Sequence, residues 1–211
     1  MRVAVLVVLF SLLGPGVAAA QELRPPAARQ GYYLGGGVRS GVTSAENETV
    51  GGFGALTHLG GVFRFGPMTL PWLGFGLSIP GGTERNDAWS LNYGGLLLEA
   101  QLEPFDFDLA FRVGAGAGGG AASRVDEADA RADDPEFFFG SMYSLGVSYD
   151  WFPFHDPQSY ESGGLAFTFF VEGRFLPGGD VDLGGGFAGI ELTWWTGLDD
   201  RKLELPVDRA F

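Results

Sequence analysis

The chain is 211 residues long, carries a formal net charge of −13 and contains no cysteine. These totals exclude disulfides, thiolate metal sites and a lipidated cysteine. The acidic balance excludes a nucleic-acid partner, whose phosphates demand basic patches, and disfavours general attachment to anionic lipid. Glycine occurs 36 times and phenylalanine 19 times, whereas lysine occurs once, at Lys202. The glycines follow no triplet period and interleave with aromatic and branched residues, which is a strand pattern.

Arg2 followed by the apolar run Val3–Leu13, the breaker Gly14-Pro15-Gly16 and the small residues Ala18-Ala19-Ala20 reads as a secretory signal peptide. The span Val3–Ala20 is just long enough for a retained anchor. The break and the small-residue end favour removal between Ala20 and Gln21, so residues 1–20 are assigned to the signal and the chain is read as exported. Residues 21–30, with Pro25-Pro26, read as a linker, residues 31–197 as a single domain and residues 198–211 as a tail or terminal strand. No other uncharged apolar run reaches the length of a membrane helix.

Eight runs of period-2 character follow: Gly31–Val42, Gly52–Phe65, Leu70–Ile79, Ala88–Leu102, Phe107–Ala117, Glu136–Phe152, Gly163–Phe175 and Val181–Thr196. Most reach the ~9–11 residues that a tilted strand needs to cross a bilayer. The connections Gly66–Thr69 and Glu103–Asp106 are tight, while Thr43–Gly51, Gly81–Asp87 and Ala122–Pro135 are longer and polar. That alternation predicts an all-β, antiparallel up-and-down transmembrane barrel of eight strands. Pro153–Ser162 and Pro177–Asp180 break it.

The content of the two faces separates a membrane barrel from a soluble one. In the sixth run Phe137, Phe139, Tyr143, Leu145, Val147, Tyr149 and Trp151 share a face, opposed by Gly140, Ser144, Gly146, Ser148 and Asp150, with Phe138 and Met142 as interruptions. In the seventh, Leu165, Phe167, Phe169, Val171 and Phe175 oppose Thr168, Glu172 and Arg174. In the fifth, Phe107, Leu109, Phe111 and Val113 oppose Asp108 and Arg112. The fourth run changes phase near Gly94-Gly95, which predicts a bulge. A soluble barrel would carry lysine and glutamate on its outer face. Here the polar face is rich in Gly and Ser, which suits the narrow interior of an eight-stranded barrel. The polar face is therefore placed inside.

With the first strand running outward, Tyr32, Phe63, Phe65, Trp72, Phe105, Trp151, Trp194 and Trp195 fall near the periplasmic side. Phe53, Trp89, Phe137 and Phe175 fall near the other, so the aromatics form two interfacial girdles. These features resemble the small eight-stranded bacterial outer-membrane barrels, such as the barrel domain of outer membrane protein A. The resemblance is architectural and covers Gly31 to about Thr196. It implies residence in the outer membrane, contact with outer-membrane lipid and lipopolysaccharide, and delivery by the outer-membrane assembly machinery. That machinery reads an aromatic C-terminus. The chain ends in Phe211, although Pro206 interrupts the period-2 pattern before it.

The residues predicted to carry charge into the lumen are Arg39, Arg64, Glu99, Asp108, Arg112, Glu172, Arg174 and Glu191. An unpaired charge in a narrow lumen is costly, so these are expected to form an Arg–carboxylate network that closes the barrel. A polar path for a small solute is the competing reading. For catalysis the histidines are His58, on the inward face, and His155, in a turn near Ser159. Neither has nucleophile–base spacing, so no catalytic residue is assigned. The acidic segment Asp126–Asp134 lacks the ordered spacing of a calcium loop and reads as a solvated loop. Gly35-Gly36-Gly37 and Gly184-Gly185-Gly186 are followed by neither a lysine nor a helix start, so no nucleotide cradle is assigned. No cofactor and no metal are expected. The reading is a non-enzymatic structural or surface-interaction barrel, with a narrow channel or transporter as the alternative. A lipid-modifying enzyme and a secreted lipocalin-like binder rank behind both.

Overall fold

The computed structural model describes residues 28–47, 51–70, 72–103, 109–125, 135–153, 164–177 and 181–199. Eight strands account for nearly all of them: β1 Ala28–Asn47, β2 Gly51–Leu70, β3 Leu73–Arg85, β4 Trp89–Leu102, β5 Leu109–Arg124, β6 Glu136–Trp151, β7 Gly164–Leu176 and β8 Val181–Asp199. Each pairs antiparallel with the next, and β8 returns to β1, so the sheet closes into a barrel. Among the described residues no helix is long and apolar enough to cross a membrane. The signal segment, His155, Ser159, the acidic segment 126–134 and Phe211 lie outside the described residues.

Register fixes the geometry. A ladder traced from Tyr149 passes Phe169, Ile190, Val38, Gly61, Gly81, Gly94 and Gly119 and returns to β6 at Phe139, ten residues from its start. Eight strands with that stagger tilt by about 40° from the axis and advance roughly 2.5 Å of height per residue. Even the 13 residues of β3 then exceed the apolar band of about 25 Å that such barrels present to lipid.

Several strands outrun the sequence reading. β1 starts at Ala28, inside the expected linker, and continues through the supposed loop to Asn47, while β3 runs on to Arg85 and β2 to Leu70. The polar composition of these stretches therefore marks strand rather than loop. At the end that carries the β1–β2 connection the outward positions form a polar collar that includes Ser44, Glu46, Thr57, Thr83, Arg85 and Asn92. In water a ladder needs no apolar face to continue. The long and short connections consequently do not alternate: 48–50 and 86–88 are short at that end, and 152–163 is long at the other.

The barrel is inside out relative to a soluble one. Outward positions carry exposed large apolar side chains, among them Leu34, Val38, Leu59, Phe75, Leu96, Leu98, Val113, Leu145 and Ile190, while the interior holds arginines and carboxylates. No bulge lies at Gly94-Gly95, because β4 keeps one register with β5 from Trp89↔Arg124 to Leu102↔Phe111. The sequence changes phase there because the lumen changes content: Leu91, Tyr93 and Leu97 point inward with Glu99 and Gln101. Phe138 and Met142, which interrupt the polar face of β6, are buried in the same apolar layer.

Candidate functional site

The lumen is filled at three levels. At the end with the β1–β2 connection, Ala45, Phe53, Leu56, Leu91, Tyr93, Leu97, Ala122, Phe138, Met142, Leu176, Val181 and Leu183 form an apolar layer, with Trp89 packed against it. Trp89 meets Phe53 edge-on at 4.4 Å and lies under the Arg124 guanidinium at 5.3 Å. At the opposite end Tyr33, Phe152, Ala166 and Trp195 pack together, with Met68 beside them. Arg29 lies among these rings, 5.3 Å from Trp195, and pairs with Glu103 at 2.6 Å and Asp150 at 3.5 Å.

Between the two layers sits a charged lattice. Period-2 alternation delivers its members, since every second residue of each strand must face inward. Arg64 on β2 is its hub. It donates from Nε to Glu99 at 3.1 Å and from Nη2 to Glu172 at 2.5 Å, and it pairs with Glu191 through Nη1. Arg112 reaches Gln101 at 3.2 Å, Glu191 at 3.5 Å and Glu99 at 4.0 Å. Arg174 pairs with Glu172, which also receives Arg39 at 3.4 Å. Arg39 in turn donates to the Tyr93 hydroxyl at 2.9 Å and to His58 Nε2 at 3.1 Å.

That last bond assigns the imidazole. An arginine Nε can only donate, so His58 Nε2 accepts and its proton lies on Nδ1, which faces Glu84 Oε1 at 2.8 Å. Glu84 receives a second bond from the Thr43 hydroxyl at 2.6 Å. In this lattice the guanidiniums of Arg39, Arg64, Arg112 and Arg174 face the carboxylates of Glu99, Glu172 and Glu191, and Glu84 joins them through His58, so four guanidiniums stand with four carboxylates. All eight are nearly inaccessible to solvent. Such charges persist away from water only when mutually compensated.

Seven of the eight predicted lumen residues are therefore brought together: Arg39, Arg64, Glu99, Arg112, Glu172, Arg174 and Glu191. Asp108 lies outside the described residues. The sequence reading missed Glu84, Glu103 and Arg29, which it placed in a loop, a turn and the linker. Asp150, named on the polar face of its run, belongs to the lower cluster. Of the girdle residues, Tyr32, Phe63, Phe65, Trp72, Trp151, Phe175 and Trp194 face outward, as does Phe137, which is 76% exposed. Trp195 is corrected: it is 0% exposed and seals the lumen against Tyr33. Two adjacent strand residues cannot share a face, so Trp194 goes to the outside and Trp195 to the interior. Trp89 is half-buried over the upper layer, and Phe53 is inside it.

Two shallow depressions of about 630 and 510 Å³ lie on the outer wall rather than in the lumen. Gly94 lines both, within a row of outward glycines, Gly61, Gly81, Gly94 and Gly119, paired side by side across four strands. Among the described residues no group of three or more His, Asp or Glu is placed to hold a metal ion.

Closed shape, inverted polarity and a charged lumen together decide the architecture. The chain has the fold of the small eight-stranded outer-membrane barrels. The barrel matches the crystal structure of Ail, the attachment invasion locus protein of Yersinia pestis. The TM-score is 0.54 at 12% identity, over 78% of this chain and 99% of that one. It also matches Ail in complex with the heparin analogue sucrose octasulfate, at a TM-score of 0.51 and 13% identity over 78% and 99%. Neisserial surface protein A aligns at a TM-score of 0.47 and 11% identity over 78% and 96%. No protein-family model and no curated protein sequence matches the chain.

Proposed function

We propose that this barrel resides in the bacterial outer membrane, is closed to solutes, and serves a non-enzymatic structural or surface-interaction role. The carrying observation is the lumen. Two apolar layers enclose a charge-balanced lattice around Arg64 and Glu172, so a crossing solute would have to separate buried ion pairs. The exposed apolar wall supports lipid as its surroundings, and the outward aromatics Tyr32, Phe63, Phe65, Trp72, Trp151 and Trp194 support one interfacial girdle, with Phe137 and Phe175 at the other. On this reading residues 1–20 are removed on export, the assembly machinery inserts the barrel, and lipopolysaccharide borders its collar. Catalysis has little support: both ring nitrogens of His58 are engaged by Arg39 and Glu84, with no hydroxyl nucleophile on either.

Fractionation and solute uptake test the proposal together. The protein should sediment with the outer membrane and show heat-dependent gel mobility. Vesicles containing it should swell no faster in arabinose than empty vesicles. Recovery as a soluble protein, or swelling at porin-like rates, would overturn it.

A further inference from the structure

Histidine is the side chain that gains and loses a proton between about pH 5 and 8, and His58 is the only one among the described residues. Its ring is buried where the charged lattice meets the upper apolar layer. It packs edge-on against Phe187 of β8 at 4.6 Å and tilted against Tyr93 of β4 at 5.8 Å. Gly60 and Gly82 make room for it, since a Cβ at either position would collide with the ring carbon Cε1. The charged and titratable groups that face the ring are Arg39 from β1, Glu84 from β3 and Tyr93 from β4, while β8 brings the uncharged Phe187. Behind Arg39 stand Glu172 and Arg174 from β7.

The direction of the Arg39 bond makes this arrangement sensitive to one proton. Nε2 is the unprotonated nitrogen of the neutral ring, and its lone pair is taken by the Arg39 Nε–H at 3.1 Å. An imidazolium has two donors and no acceptor. A proton at Nε2 therefore sets one N–H against another, and one cation against another, in a site closed to water. Both cations keep an acceptor if they part. Arg39 retains Glu172 at 3.4 Å and the Tyr93 hydroxyl at 2.9 Å, and His58 retains Glu84 at 2.8 Å. The charged form also upsets the count, because a fifth cation joins four guanidiniums and four carboxylates. A buried charge in excess is costly and favours the entry of water.

We infer that His58 is a proton-operated latch on Arg39. With the ring neutral, Arg39 ties β1 to β2 and, through Tyr93, to the upper apolar layer. Acidification turns Nε2 into a donor, releases Arg39 towards Glu172, and lets water into the upper layer. The lower layer around Trp195 takes no part. The inference goes beyond closure and rests on it, adding the condition under which the upper half of the plug loosens.

The test uses the refolded barrel in lipid nanodiscs, with insertion verified by heat-dependent mobility. Every sample carries His155→Asn, which removes the other histidine of the chain and leaves one imidazole to observe. Nitrogen NMR should find a neutral ring protonated at Nδ1 at pH 7.5 and an imidazolium at pH 5. Hydroxyl-radical footprinting reads the entry of water. Oxidation of Met142, at 0% exposure in the upper layer, should rise at least fivefold from pH 7.5 to pH 5, while Met68 beside the lower layer stays constant. His58→Gln should lose that rise, because its amide accepts from Arg39 and donates to Glu84 without titrating. Three results would overturn the latch: a ring still neutral at pH 5, an imidazolium that leaves Met142 oxidation unchanged, or a rise that persists in His58→Gln. Rapid oxidation of Met142 already at pH 7.5 would refute closure itself, and the latch with it.

Discussion

Arg64→Met is the sharpest perturbation of the lattice. The substitution keeps an unbranched apolar stem beside Phe170, whose ring lies 5.0 Å from the guanidinium, and removes the charge. Three buried carboxylates lose a partner, Glu99, Glu172 and Glu191, and Arg64 itself is only 1% exposed. Removing one partner of a buried ion pair costs about 3–5 kcal/mol. Each carboxylate here keeps another cation, with Arg112 at 3.5 Å from Glu191 and 4.0 Å from Glu99, and Arg39 at 3.4 Å from Glu172. The three losses therefore do not add, and the whole effect should stay within about 3–5 kcal/mol. Adding Glu172→Gln removes one uncompensated charge and should make the double variant less destabilised than the sum of the singles by at least ~1 kcal/mol. Reversible urea unfolding in lipid vesicles, followed by tryptophan fluorescence, reads both numbers. A loss below about 1 kcal/mol for Arg64→Met, the value of a surface pair, would refute the account of a desolvated lattice. Strict additivity of the two substitutions would refute it as well.

Single-tryptophan variants with brominated lipid should show quenching of Trp72, Trp151 and Trp194 and none of Trp195; a quenched Trp195 would place it on the wrong face. Gly37→Val should prevent assembly, because a Cβ there comes within 2.6 Å of the Glu191 Cα and 2.7 Å of its Cγ. Gly36→Val, whose nearest neighbour would be Phe63 at 3.6 Å, should insert normally, and heat-dependent gel mobility distinguishes the two. Met142→Ala, at 0% exposure in the upper layer, should cost about 2–5 kcal/mol in the same unfolding assay.

The strand number and the sidedness were legible because β-structure repeats every two residues and the outward face of β5–β7 is almost wholly apolar. His58 was legible as an inward residue for the same reason. What misled was the assumption of a uniform interior. Leu91, Tyr93, Phe138 and Met142 are apolar residues on the polar face, and periodicity alone reads such residues as a phase change in β4 or an interruption in β6. Only the register distinguishes a change of lumen content from a bulge. Glu84 and Arg29 were hidden by composition, since Gly81–Asp87 and residues 21–30 carry the Gly, Pro and charge of loops while strand pairing continues through Arg85 and from Ala28. Trp195 shows a further limit. Run-end position located it at the interface, but alternation against Trp194 decides its face. The ion pairs themselves join β1, β2, β4, β5, β7 and β8 across the lumen, and no spacing in the sequence encodes which arginine meets which carboxylate.

Single-channel recording of the purified, refolded barrel in planar bilayers tests closure most directly. The account predicts a quiet baseline for the unaltered protein at neutral pH, with steps appearing only when Arg64 or Glu172 is replaced. Large, reproducible conductance steps from the unaltered barrel would contradict it.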